Sequence, residues 1–146
     1  MLYLFDCDGT LISSYMESVS RTYSDWEVLP GRQHTIAKLL HLHHDVGIVT
    51  NQGGVAFGKI TEQDFTTKIG RVGMALGFGK IYVYDGRRDP VVLGWDAPVL
   101  DVRVCYNDAR SPNPAYRDAQ RRKPSGTMIR EALQDAGVVP GDATYV

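Results

Sequence analysis

The sequence predicts an α/β fold, a Rossmann-like parallel sheet with flanking helices. Three observations carry that prediction. Short apolar runs alternate with stretches of helical period, the first two runs end abruptly in polar clusters, and no internal repeat or low-complexity tract breaks the alternation. At 146 residues the chain has the length of a single domain able to bury a core.

Taken in order, Leu2-Tyr3-Leu4-Phe5 is a buried-strand run that stops at Asp6. Gly31 to His44 reads as a helix, with Ile36, Leu39, Leu40 and His43 at i, i+3, i+4, i+7. Val46-Gly47-Ile48-Val49 is the second strand and gives way to Thr50-Asn51-Gln52-Gly53-Gly54. Thr61 with Asp64 three residues on is a helix-start signal, and Phe65, Ile69, Val72 and Leu76 follow at helical spacing. Ile81-Tyr82-Val83-Tyr84 is a third strand. Asp85 to Pro98, rich in Gly, Pro and charge around Val91-Val92-Leu93, reads as a hairpin-like excursion, and Val99 to Tyr106 as another strand. Asn107 to Arg122 carries Pro112 and Pro114 without a clean period and reads as loop. Pro124 is predicted to open a helix through Ala136, because a first-turn proline lacks a donor that would have no partner there; Gly137 ends it. Ala143-Thr144-Tyr145-Val146 begins a further strand, so the sequence is expected to be truncated in mid-strand.

Composition narrows the function. The 16 Lys+Arg against 17 Asp+Glu give a formal net charge of −1, which removes bulk electrostatics as evidence for nucleic acid or membrane binding. An apolar fraction of 43% with 23% charged residues argues against disorder. No apolar run approaches the ~20 residues of a membrane span. The acid at Asp6 excludes a signal peptide at the start of the chain. Cys7 and Cys105 are too few for a disulfide framework or a cysteine-built zinc site, and a reducing, cytoplasmic setting is the default.

In open parallel α/β sheets, ligands bind outside the carboxyl ends of the strands. Asp6-Cys7-Asp8-Gly9-Thr10 and Thr50-Asn51-Gln52 lie at such ends. Arg121-Arg122-Lys123-Pro124 precedes a predicted helix N-terminus, where N–H groups and the helix dipole favour an anion. Carboxylates, hydroxyl and amide donors, and cations thus gather on one rim, a combination suited to metal-assisted chemistry on a phosphate. Asp6 and Asp8 share a side of an extended segment, so one can attack or bind metal while the other moves protons. Gly9 permits a sharp turn right after them. A solvated Asp-x-Asp-Gly turn closing a strand has the same spacing.

Asp6-Cys7-Asp8-Gly9-Thr10-Leu11 resembles the first motif of the haloacid dehalogenase (HAD) superfamily of phosphohydrolases. Thr50 after an apolar strand resembles the second motif, and Lys123 the third. Thr50-Asn51-Gln52-Gly53-Gly54-Val55, Arg122-Lys123-Pro124 and Leu29-Pro30-Gly31 are similar to the branch holding histidinol-phosphate, heptose-bisphosphate and polynucleotide 3′-phosphatases. The resemblance spans residues 2 to 136, with four elements in the same order. It implies a HAD-like fold and roles for the matched positions alone. Asp6 would be the nucleophile, forming an aspartyl-phosphate; Asp8 would protonate the leaving oxygen and later activate water. Thr50 and Asn51 would hold phosphoryl oxygens, with Gly9 and Arg122 also on the substrate side, and Lys123 would neutralise charge among nucleophile, metal and phosphate. Mg²⁺ would be held by the Asp6 carboxylate and the Asp8 main-chain carbonyl. The second aspartate favours phosphoryl transfer over dehalogenation.

The sequence departs from the family pattern in three places. The family's third metal carboxylate comes from a Gly-Asp motif after a strand; Gly141-Asp142 precedes the apolar run, so the third ligand is expected beyond Val146. The cysteine and histidine pairs that hold zinc in some members are missing, since Asn107, Ala119 and Arg121 stand at their places, and no zinc is expected. The helix after Lys123 sets its glycine and methionine one position off the family's placement. The 41 residues between Asp8 and Thr50 and the 72 between Thr50 and Lys123 leave no room for a folded cap domain, so the rim should be open apart from 85–122.

Other residues have bland readings. His41, His43 and His44 sit in a predicted last helical turn, where cations suit the dipole, and Cys7 points to the core. Gly53, Gly54 and Gly58 lack the Gly-Lys-Ser/Thr ending of a P-loop, and Lys59 reads as solvated. Within residues 110–123, Arg110, Arg117, Arg121, Arg122 and Lys123 stand against Asp118 alone, a local excess of four positive charges. They form either a solvated loop or a polyanion groove with Tyr106 and Tyr116 as stacking faces. Trp26 and Trp95 either line an entrance or pack in the core.

The leading expectation is a Mg²⁺-dependent phosphomonoesterase acting on a small phosphorylated metabolite. A 3′-phosphate at a nucleic acid end is the alternative substrate. A phosphate-binding fragment without turnover, or one module of a larger enzyme, is the expectation from a different class.

Overall fold

Alternation along the central strands gives the sheet two apolar faces, and the helices divide between them. The computed structural model describes residues 1–13, 24–87 and 89–146. Its elements are β1 (Leu2–Phe5), α1 (Arg32–His41), β2 (Asp45–Asn51), α2 (Glu62–Ala75), β3 (Lys80–Tyr84), β4 (Val91–Gly94), β5 (Val99–Cys105), α3 (Thr127–Ala136) and β6 (Ala143–Tyr145). They form a six-stranded sheet in the order β4-β3-β5-β2-β1-β6. Every pairing is parallel except that of β4 with β3.

On one face Phe5, Val46, Ile48, Val102 and Val104 meet Ile36 of α1 and Phe65, Ile69 and Val72 of α2. On the other, Leu2, Leu4, Val49 and Cys105 meet Met128 and Ala132 of α3. Burial of these side chains, at about 1.5–3 kcal/mol each, is the main force holding the helices down. Arg103 adds an ionic anchor on the α3 face: it is buried, donates to both oxygens of Asp101, pairs with Asp135 and lies 3.9 Å from the Tyr84 ring centre.

The predicted strands and helices are present, with three adjustments. α1 ends at His41, short of the expected His44, because the chain turns through His43 at φ 62 to enter β2; the expected core position His43 is exposed, and His44 lies outside the helix. β2 runs two residues past Val49, since Thr50 and Asn51 still pair with Val104 and Cys105. The hairpin excursion is present as expected, its strand β4 lying antiparallel to β3. α3 begins at Thr127 rather than Pro124. A helix starting at Pro124 would need the Lys123 carbonyl for its first turn, and that carbonyl accepts instead from Asn51.

Thr61 and Asp64 form the expected capping box at the start of α2, and Gly137 closes α3 at φ 67. The strand after Gly141-Asp142 is β6, hydrogen-bonded to β1 at the sheet edge. The interval between Asp8 and Thr50, expected to hold no cap, includes residues 14–23, which lie outside the described residues. Among the described residues no helix is long and apolar enough to cross a membrane.

Candidate active site

The carboxyl ends of β1 and β2 place the two acidic and amide clusters side by side, as expected for a parallel sheet. After β1, Thr10, Leu11 and Ile12 all donate to the Cys7 carbonyl, closing a tight turn. Gly9 takes φ 79 there, a conformation costly for any residue with a Cβ. Cys7 is fully buried between the two aspartates, and burial followed by the Asp8 charge pushes its thiol far up from the ordinary range. It is a packing residue, as the alternation of the strand implied.

Lys123 reaches the rim from the turn before α3. Its ammonium donates to Asp6 Oδ1 at 2.9 Å, the Val49 carbonyl at 2.9 Å and the Tyr145 hydroxyl at 3.0 Å. Burial opposes the charge, but the Tyr145 hydroxyl and the Asp6 carboxylate outweigh it and hold Lys123 above the usual lysine range. Asp6 remains 37% exposed, so its carboxylate is open to a substrate.

Asp8 sits in a second polar net. Gln52 Nε2 donates to Asp8 Oδ2 at 2.9 Å and to Thr50 Oγ1 at 3.0 Å, and Lys68 Nζ of α2 lies 3.4 Å from Asp8 Oδ1. Thr50 is buried at the end of β2. Asn51 turns its side chain to the main chain of Lys123.

The loop 107–122 folds over the neighbouring strand ends. Here the local positive excess is largely paired. Arg110 and Arg122 both face Asp108, whose carboxyl the Arg110 guanidinium holds well below the usual range. Arg121 is bidentate to Glu131, and Arg117 caps the Ser111 carbonyl. Tyr106 is buried edge-on to Phe65 and offers no stacking face, a correction to the groove reading. Tyr116 donates to Glu62. Trp26 packs against the core, whereas Trp95 is 87% exposed beyond β4, at the sheet end opposite the rim, and lines no entrance.

A cleft of about 230 Å³ beside Asp8 is bounded by Gln52, Gly53, Lys59, Asp108, Arg110 and Arg122. The sequence places Gln52 on the rim without giving it a role, and Lys68, Asp108 and Tyr145 are parts of this site that it did not single out. For Lys68 a signal existed: it stands three residues after Phe65 and four before Val72, on the buried side of α2.

Chemically, the rim offers one open carboxylate with a lysine on it, a second carboxylate held by its own donors, and buried hydroxyl and amide groups. Among the described residues no three His, Cys, Asp or Glu side chains gather into a metal-holding group. The oxygens present suit Mg²⁺, which takes one or two carboxylates and fills its remaining positions with water and substrate phosphate. The turn after β1 is closed on the Cys7 carbonyl, leaving the Asp8 carbonyl outside that hydrogen bonding.

Comparison with known proteins gives a consistent picture. A sequence model of the polynucleotide kinase 3 phosphatase family matches residues 1–142. An uncharacterized 20.8 kDa protein of Autographa californica nuclear polyhedrosis virus is 38% identical over 74 residues, covering 50% of this chain and 40% of its own. A candidate HAD-like phosphatase from Mesorhizobium loti superposes with a TM-score of 0.67 at 24% identity, over 94% of this chain and 57% of that one. D,D-heptose 1,7-bisphosphate phosphatase from B. bronchiseptica, solved with magnesium and phosphate, gives 0.63 at 22% identity, over 94% of this chain and 64% of that one. At these identities the two solved structures share the fold, which is HAD-like. This chain spans less than two thirds of the length of each of the three relatives.

Proposed function

The chain belongs to the polynucleotide kinase 3 phosphatase family, and from that premise we propose that it hydrolyses phosphate monoesters, with Asp6 as nucleophile. The observation that carries this reading is the Lys123 ammonium 2.9 Å from the exposed Asp6 carboxylate, with Asp8 on the same rim.

In this reading an Asp6 oxygen attacks phosphorus and forms an aspartyl-phosphate. Asp8 gives a proton to the departing oxygen, then takes one from the water that opens the acyl phosphate. Lys123 offsets the charge that builds on the phosphoryl oxygens, where a preorganised cation acts most strongly. Thr50 holds a phosphoryl oxygen, and Asn51 keeps Lys123 in place through its main chain. The Asp6 carboxylate and the Asp8 main-chain carbonyl would hold Mg²⁺, which when bound neutralises phosphate charge and fixes the line of attack.

The family's name favours a polynucleotide 3′-phosphate as substrate, and Lys59, Arg110 and Arg122 around the cleft supply cations for the flanking phosphates. A small phosphorylated metabolite is the second reading, favoured by the pairing of Arg110 and Arg122 with Asp108 and of Arg121 with Glu131, which neutralises much of the basic loop. A cytoplasmic setting fits the two buried, unpaired cysteines. The test is a panel of 3′-phosphorylated oligonucleotides, sugar phosphates and amino-alcohol phosphates, with Mg²⁺ and with EDTA. Turnover that EDTA stops and Asp6→Asn abolishes is expected. No turnover on any ester would favour a binding module, and unchanged activity in Asp6→Asn would remove the mechanism.

A further inference from the structure

The two carboxylates of the rim have separate cations, delivered from opposite faces of the sheet. Lys123 comes from the α3 side and meets Asp6; Lys68 comes from α2 and meets Asp8. The Lys68 side chain is only 4% exposed, while the Asp8 carboxylate is 25% exposed. A lysine in that position is an expensive choice for packing, since an apolar side chain of similar volume would fill the same helix face without desolvating a charge. The capping box at Thr61 fixes the start of α2 and thereby the depth from which Lys68 projects. Gln52 holds the other oxygen of the same carboxylate, and its own amide is buried and braced on Thr50.

We propose that Lys68, together with Gln52, is a positioning residue for Asp8, fixing the carboxylate that serves the leaving oxygen. The inference rests on the phosphatase reading above. In the step concerned, the Asp6 oxygen forms its bond to phosphorus as the ester P–O bond breaks. The electron pair stays on the leaving oxygen, which takes the proton that Asp8 carries on one oxygen into this step. Asp8 is left as the carboxylate that next takes a proton from water. A carboxylate gripped at both oxygens keeps its face toward that oxygen; one that rotates freely does not.

The test uses the full chain and aryl and alkyl phosphates of increasing leaving-group basicity. Lys68→Met should lower kcat/KM on the order of 10²-fold for an alkyl phosphate, within the usual range of general acid catalysis. For p-nitrophenyl phosphate, whose leaving group needs no proton, the loss should stay within about threefold. In an Asp8→Asn background, Lys68→Met should add nothing, because it acts through Asp8. An equal loss across all leaving groups, or additive losses in the double variant, would overturn the proposal in favour of a packing role. An inactive parent protein would instead overturn the phosphatase reading. The pair is then judged by a double-mutant cycle on urea unfolding, where coupling between Lys68 and Asp8 supports the grip and strict additivity removes it.

Discussion

Asn51 and Lys123 are joined twice: the Asn51 amide nitrogen donates to the Lys123 carbonyl at 3.1 Å, and the Lys123 N–H donates to the Asn51 side-chain oxygen at 3.0 Å. The pair ties the end of β2 to the turn that carries the lysine ammonium to Asp6. Asn51→Asp keeps the size but turns one donor into an acceptor facing a carbonyl. It should lose about 1–3 kcal/mol of stability in urea unfolding, the cost of breaking and opposing a part-buried hydrogen bond. It should also lower kcat more than it changes KM, because Lys123 loses its backbone anchor. A variant as stable as the parent would show that the clasp is incidental.

Lys123 and Tyr145 separate charge from placement. Lys123→Ala should lower kcat on the order of 10²-fold or more, as loss of one preorganised electrostatic group does. Tyr145→Phe removes only the hydroxyl that holds the ammonium from the β6 side, and should cost roughly threefold to tenfold, within the range of one net hydrogen bond. Steady-state kinetics on one phosphate ester measures both. A Tyr145→Phe loss as deep as that of Lys123→Ala would mean that the tyrosine itself contacts the reacting group.

The sheet was legible because its strands carry their own pattern: apolar runs ending at Asp6 and Thr50 announce both the fold and the rim. The contact of Asp6 with Lys123, 117 residues apart, was expected from a resemblance and not from any local period. The start of α3 was misplaced because the competitor for the Lys123 carbonyl, Asn51, lies 72 residues away. Lys68 escaped notice for a related reason. Periodicity counts apolar positions, and a cation at a buried position looks like a break in the stripe until its partner is in view.

Glu131 should mark the acid limb of stability. The Arg121 guanidinium holds its carboxyl below the usual range, burial pulls the other way, and Arg103 reinforces the lowering. A lowered folded-state pKa means stabilisation that is present above the unfolded value of about 4.3 and fades as pH falls through the folded one. Tm measured from neutral pH downward should therefore fall less steeply in Glu131→Gln, which starts lower at pH 7. Parallel Tm curves for parent and variant would show that the Arg121–Glu131 pair contributes nothing to folding.

Arg122 and Lys123 are neighbours in sequence with different surroundings, and their losses should differ in kind. Lys123 faces the reacting carboxylate; Arg122 lines the cleft, 3.6 Å from Asp108 and 29% exposed, where it can meet a part of the substrate that does not react. Arg122→Ala should chiefly raise KM and leave kcat near that of the parent, the pattern of lost uniform binding. If the substrate is a 3′-phosphorylated oligonucleotide, binding should weaken with salt, because each phosphate contact releases a counterion. Arg122→Ala and Lys59→Ala should each then reduce the slope of log K against log salt by about 0.7 for a single strand. Arg110 should contribute less, since Asp108 already engages it through two hydrogen bonds. Salt-insensitive binding by the parent would point to a small phosphate ester. Equal losses of kcat at Arg122 and Lys123 would place both cations on the reacting group.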